Sequence, residues 1–117
     1  MPSPLKLTVF RRRAEFLAVA NTGKKWVAPN LILQIGPVSD VSSVRYGLTA
    51  TTRIGNAVVR NRARRRMRAL ATDMMAMHAI AGDYVLIARA TTGTCEYEKL
   101  QADLTLALKK MKAWRDA

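Results

Sequence analysis

Residues 53–68 read Arg-Ile-Gly-Asn-Ala-Val-Val-Arg-Asn-Arg-Ala-Arg-Arg-Arg-Met-Arg, with seven arginines in sixteen positions and no acid among them. An arginine stays charged at neutral pH, and its planar fork of donors matches a pair of phosphate oxygens. This density on one element points to a nucleic-acid surface. A solvated helix face is the bland alternative, but such a face interleaves acids for i,i+4 pairing, and none are present here. Groups for cutting a phosphodiester are harder to find. Hydrolysis by a protein needs clustered carboxylates or histidines to hold a metal and activate water. The eight acids, Glu15, Asp40, Asp73, Asp83, Glu96, Glu98, Asp103 and Asp116, form no Asp-x-Asp or His-x-x-x-Glu group, and His78 is the only histidine. His78 reads as a surface or helix-end residue. Cys95 stands alone, without a CxxC partner or a nearby base, so a zinc or nucleophile role is not expected. Gly47 and Gly55 fit neither the Walker nor the dinucleotide spacing. The chain has the means to bind RNA or DNA and shows no catalytic set, so any reaction it serves needs a catalyst from another component.

The whole composition agrees. A chain of 117 residues with net charge +12 makes a polyanion the default partner. An acidic membrane surface is not expected, because no stretch sets bulky apolar residues against a Lys/Arg face. No apolar run has the length of a membrane span, and Arg11-Arg12-Arg13 falls where a signal peptide would need its apolar centre. A cytoplasmic location is expected, in agreement with a single cysteine. The length suits one domain over residues 1–117.

Several elements must position the arginines. Residues 12–20, with Glu15, Phe16, Val19 and Ala20 at helical spacing, predict a short helix that stops at Asn21-Thr22-Gly23. Strands are predicted at 31–35 and 45–52, joined in a hairpin-like manner through Gly36-Pro37 and a Ser/Asp/Val loop. In the second, Tyr46, Leu48 and Ala50 share a core face, while Arg45, Gly47, Thr49 and Thr51 share a polar one. Gly55 then turns the chain, and Asn56 caps a long helix. Its apolar stripe runs Val59, Ala63, Met67, Leu70, Met74, Met77; Arg60, Arg64 and Arg68 flank it on one side, Arg62 and Arg66 on the other, and Arg65 points away. Tyr84-Val85-Leu86-Ile87-Ala88 reads as a strand buried on both faces, central in its sheet. Tyr97, Leu100, Leu104, Leu108 and Met111 describe a last amphipathic helix, with Thr94 as its candidate cap. The resulting class is α+β, a two-layer sandwich of order α-β-β(-β)-α-β-α with helices on one face of a mixed sheet.

The segment Arg53 to Arg68 resembles the signature of the bacterial ribonuclease P protein subunit. The resemblance extends over nearly the whole chain, through Glu15-Phe16, Gly47-Leu48-Thr49, Asp83-Tyr84-Val85-Leu86-Ile87-Ala88-Arg89 and a basic C-terminal helix. It implies parallel strands flanking the long helix, joined by a left-handed crossover where general rules would predict a right-handed one. It also implies an accessory protein that does not hydrolyse RNA itself. Its partners would be a catalytic RNA, which removes the 5′ leader of precursor tRNA with the help of Mg2+, and the precursor; the protein itself would bind no cofactor, and neither DNA nor membrane is expected. By resemblance Arg60, Asn61, Arg62, Arg64, Arg65, Arg66 and Arg68 contact the catalytic RNA. The single-stranded leader would lie in a cleft involving Phe16, Ile32, Gln34, Thr49, Thr51 and Arg53, in agreement with the polar sheet face. The chain departs from the family at Ala20 and Gln34, where aromatics are common, and at Thr52-Arg53, where two lysine-like residues are common; weaker stacking and stronger backbone electrostatics are expected. A general RNA-binding module and a DNA-binding helix are the competing readings. The first would not require the Gly55-to-Arg68 signature, and the second would need a zipper or helix-turn-helix partner. A protein-only nuclease is the third.

Overall fold

The structure, a computed structural model, describes residues 4–116. Strand β1 (Lys6–Val9) is followed by helix α1 (Arg13–Ala20), strands β2 (Lys25–Val27), β3 (Leu31–Ile35) and β4 (Ser43–Thr49), and a 3-10 turn at Thr52–Ile54. Helix α2 (Ala57–Leu70) then continues through a π turn (Ala71–Met75) into the short α3 (Ala76–His78), before strand β5 (Gly82–Ala88) and helix α4 (Tyr97–Lys110). The sheet order is β1-β4-β5-β3-β2. Strands β1, β4 and β5 run parallel, while β3 is antiparallel to both β5 and β2.

The α+β class, the mixed sheet and the central place of β5 agree with the sequence reading. Three details differ. The expected β3–β4 hairpin is replaced by β5 lying between them, because a strand apolar on both faces needs a neighbour on each side and cover above and below. Strands β1 and β2 escape periodicity because they are edge strands of four and three residues. The helices do not all share one face. Tyr84, Leu86 and Ala88 of β5 enter the larger core beneath α2 and α4, while Val85 packs with Phe10 and Val19 beneath α1 on the opposite face. The continuous apolar run of β5 therefore serves two layers.

Under α2 the expected seam is present: Ala63, Met67, Leu70 and Met74 are buried, and Val59 and Met77 are half-buried at its ends. The π turn admits one more residue than an α turn and so rotates the next residues about the helix axis. Ala71, one turn after Met67, is buried in the same seam, and both Met74 and Met75 enter the core. Asn21 caps the C-terminal end of α1, and Gly23 has φ +68, as the stop signal predicts. At α4 the N-cap is Glu96 without a side-chain bond, and Thr94 instead turns its backbone N–H to the Thr91 carbonyl, so the expected Thr94 cap is not formed.

Helix α1 is fastened to the sheet by charge. Arg45 of β4 pairs with Glu15 of α1 and, at 3.1 Å, with Asp83 of β5; its guanidinium also lies 5.5 Å from the centre of the Phe10 ring. Asp83 is almost wholly buried and accepts from the Ser39 hydroxyl at 2.8 Å. Gly47 lets α1 sit this low, since a Cβ there would stand 2.5 Å from Phe10 Cε1 and 2.6 Å from Phe16 Cζ. Removing one partner of a buried pair strands the other charge. Arg45→Met is expected to cost about 3 kcal/mol in urea unfolding; a loss no larger than that of an exposed arginine would show that Asp83 is satisfied without it.

Candidate nucleic-acid interface

The basic helix begins where its sequence dictates. Gly55 has φ +146, outside the range of ordinary residues, and the Asn56 side chain accepts from the Val59 N–H at 3.1 Å. The chain thereby reverses from the end of β4 into α2, with the Ala63–Met67–Leu70 seam turned to the sheet. The arginines are what remains outside. Asn61, Arg62, Arg65 and Arg68 are exposed; Arg60, Arg64 and Arg66 are half-buried.

These side chains divide by what they touch. Arg64 donates to the Ala50 carbonyl at 3.2 Å and to Asn61 Oδ1 at 3.3 Å, so Asn61 keeps its amide N–H groups for an outside acceptor. Arg66 donates to the Thr92 carbonyl at 2.9 Å and lies over the Tyr97 ring. It therefore ties α2 to the start of α4. Arg60, Arg62, Arg65 and Arg68 make no side-chain hydrogen bond or ion pair among the described residues, where the ion pairs are those of Arg45. Four guanidinium groups on one helix without acid partners leave a concentrated positive potential facing solvent.

The residues expected in the cleft lie on the α1 face of the sheet. Thr49, Ile87 and Ile32 stand in one register row across β4, β5 and β3, and Gly47, Val85 and Gln34 in the next. Ile32, Thr51 and Arg53 line a hollow of about 560 Å3 together with Ile87 and Arg89. Phe16 and Thr49 line a neighbouring hollow of about 370 Å3 with Arg11, Arg13 and Arg64. Phe16 also borders a third with Arg11, Arg64 and Arg68, and its ring meets that of Phe10 edge-on at 5.1 Å. Gln34 shares the face but lines none of these hollows. Phe16 is thus where the cleft joins the basic helix. Arg11, Arg13 and Arg89 stand at the site without having been expected there. For the first two the signal is the run Arg11-Arg12-Arg13, which the sequence reading uses only to exclude a signal peptide.

Among the described residues no three of His, Cys, Asp and Glu gather to hold a metal. His78 stacks flat on Trp114 at 4.3 Å, with Nδ1 3.2 Å from the Arg115 carbonyl oxygen, in keeping with a helix-end residue. Cys95 is a half-buried free thiol. No helix is long and apolar enough to cross a membrane among the described residues.

An uncompensated arginine helix beside a shallow cleft, on a mixed α+β sheet, defines a class of RNA-binding accessory proteins. Similarity to known proteins narrows it. The family described as Ribonuclease P matches residues 5–112. The ribonuclease P protein component of Paramagnetospirillum magneticum is 44% identical, across 92% of this chain and 85% of its own length. That of Caulobacter vibrioides is 40% identical, across 96% of this chain and 76% of its own. Among solved structures, the Staphylococcus aureus RNase P protein superposes with TM-score 0.76 at 22% identity, over 92% of this chain and 97% of that one; the Thermotoga maritima protein gives 0.74 at 20%, over 86% and 94%. The chain belongs to the ribonuclease P protein family. It is accordingly the accessory protein subunit of a ribonucleoprotein endoribonuclease and acts in tRNA 5′ maturation.

The clamp that holds Arg66 has an alkaline signature. Burial, reinforced by the hydrogen bond to Asp73 at 2.7 Å, pushes the Tyr97 phenol up to about 12, and burial raises Tyr84 as well. A folded-state value above the unfolded one near 10 favours the protonated, folded form, so this contribution is complete below pH 10 and is lost as pH rises towards 12. The readout is a difference between two proteins, so contributions common to both cancel. Tyr97→Phe is expected to lose less urea stability than the parent between pH 9 and 11, a window that brackets the ordinary phenol value; equal losses would place the phenolate at no disadvantage in the fold.

Proposed function

We propose that α2 grips the catalytic RNA of ribonuclease P while the cleft on the α1 face takes the 5′ leader of precursor tRNA. Four arginines without acid partners, contiguous with a cleft bordered by Phe16, carry this reading. Arg60, Arg62, Arg65 and Arg68 neutralise RNA phosphates directly, and Asn61 donates its amide to a backbone or base acceptor. Arg64 and Arg66, each already bonded to a protein carbonyl, stand with orientation fixed and present their remaining donors. In the cleft, Phe16 offers the stacking face, Ile32 and Thr49 the floor, and Thr51 and Arg53 the wall, a combination that holds a single strand with little reading of sequence. Gln34 stands farther along the same floor.

The protein supplies position and charge. Catalytic RNA and precursor tRNA are both polyanions, and a +12 subunit between them lowers their repulsion. Mg2+ serves the hydrolytic step in the holoenzyme; among the described residues the acids are dispersed and do not fit a protein-held catalytic ion. The protein acts in the cytoplasm, as a single domain.

The defining experiment is leader cleavage at low magnesium by a bacterial ribonuclease P RNA alone, with this protein, and by the protein alone. Rescue of the RNA by a protein inert on its own is expected; cleavage by the protein alone would overturn the assignment. Arg60→Ala with Arg62→Ala is expected to weaken RNA binding and flatten the log-salt slope by roughly one to two units, each phosphate contact contributing close to one. An unchanged slope would remove both residues from the phosphate contacts. Gly47→Ala probes the cleft separately. The added methyl displaces the Phe10 and Phe16 rings, so affinity for precursor tRNA should fall towards that of a leaderless tRNA, with affinity for the catalytic RNA preserved. An undiminished leader contribution would exclude Phe16 from the leader site.

A further inference from the structure

A hollow of about 510 Å3 lies between the loop after β3, the segment entering β5 and the end of α4. Its walls are aliphatic: Ile35, Val38, Ile80 and Met111, with Val38 55% and Ile80 42% exposed, high values for residues with no polar group to solvate. Lys24, Lys25 and Lys112 stand around it, all three exposed and without a carboxylate within 4 Å among the described residues, where the ion pairs are those of Arg45. No acid lines it. The nearest along the chain are bonded elsewhere, Asp83 by Arg45 and Ser39, Asp40 by Ser42, and Asp116 by the Trp114 indole N–H. Lys112 also holds φ 59 just past α4, where glycine is the unstrained choice, so a lysine head is kept at the rim against backbone preference.

Topology puts this hollow away from the arginine face of α2. The chain passes from the end of β4 into α2, so Arg60 to Arg62 lie near the sheet end where β4 and β5 finish; Gly36, Ile80 and Val38 lie at the opposite end, where β5 begins. The hollow shares no lining residue with α2. Its lining lacks the aromatic planes and arginine forks that hold single-stranded nucleic acid. An apolar floor within a ring of ammonium groups is complementary to carboxylates around a bulky apolar side chain.

We propose that this hollow is a docking site for an acidic protein segment that inserts one or two bulky apolar side chains between Ile35 and Ile80 and pairs its carboxylates with Lys24, Lys25 and Lys112. The protein carries its own reporters. Of its five isoleucines, Ile35 and Ile80 line this hollow, while Ile32, Ile54 and Ile87 line the cleft-side one. The protein with 13C-labelled isoleucine methyl groups, bound to a ribonuclease P RNA, is titrated with the capped peptide Asp-Glu-Leu-Phe-Glu-Asp and with the control Asp-Glu-Gly-Ser-Glu-Asp. Saturable shifts at Ile35 and Ile80 alone are expected, with the control weaker by about tenfold or more for want of apolar burial. Ile80→Glu and Lys24→Glu, both surface changes, should abolish the Ile35 shift while leader cleavage is unchanged. Equal binding of the two peptides would reduce the effect to net charge and overturn the proposal. So would shifts at Ile32, Ile54 and Ile87, no shift at millimolar peptide, or displacement of the Ile35 and Ile80 signals by a single-stranded oligonucleotide in place of the peptide.

Discussion

One strand, β5, carries the architecture because it is apolar on both faces. Its Tyr84, Leu86 and Ala88 need the α2 and α4 layer, and its Val85 needs α1. With β5 at the centre, β4 and β3 are forced to its two sides, and their outward rows become the floor under α1. The site inherits its shape from that arrangement: Ile87 stands in the middle of the row that joins Thr49 to Ile32. A charge introduced in β5 would therefore disturb two packing layers and the cleft floor together.

The second constraint is electrostatic. Helix α2 is held by a narrow seam of Ala63, Met67 and Leu70, so most of its circumference is left to arginine. Arg64 and Arg66 relieve part of the mutual repulsion by bonding backbone carbonyls on either side of the helix, at Ala50 and Thr92. Carbonyl bonding fixes direction without cancelling charge, whereas a carboxylate would do both. The helix thus keeps its full positive charge and gains defined geometry, the combination a phosphate surface requires.

Much of this was legible in the sequence because it rests on periodicity and on local backbone chemistry. The seam follows from spacing, the start of α2 from Gly55 and Asn56, the central place of β5 from its unbroken apolar run. The failures have a common physical origin in long-range geometry. Nothing local to the Gly36-Pro37 loop announces that β5 will separate β3 from β4, since that depends on a strand some forty residues later. The π turn is equally silent, because Met74 and Met75 satisfy a helical stripe whether one or both are buried. Arg45 read as a polar-face residue; that it bridges α1 to β5 appears only once Glu15 and Asp83 are brought within reach. Arg11 and Arg13 join the site because β1 ends at Val9 and delivers them beside Phe16 and Arg64, a consequence of an edge strand too short to detect.

That last juxtaposition bears on how a single strand would be held here. The chain has Ala20 one turn after Phe16 and Gln34 on the sheet floor, so the half-buried Phe16 is the more accessible ring of the hollows it borders; Phe10, which lines one of them, is buried. The same hollows gather Arg11, Arg13, Arg64 and Arg68. Stacking is a short-range contact set by base geometry, whereas phosphate pairing is longer-ranged and screened by salt. In the proposed leader-binding role, a cleft with Phe16 and four arginines at its mouth retains a strand chiefly through its backbone. Its grip then varies with ionic strength more than with base identity.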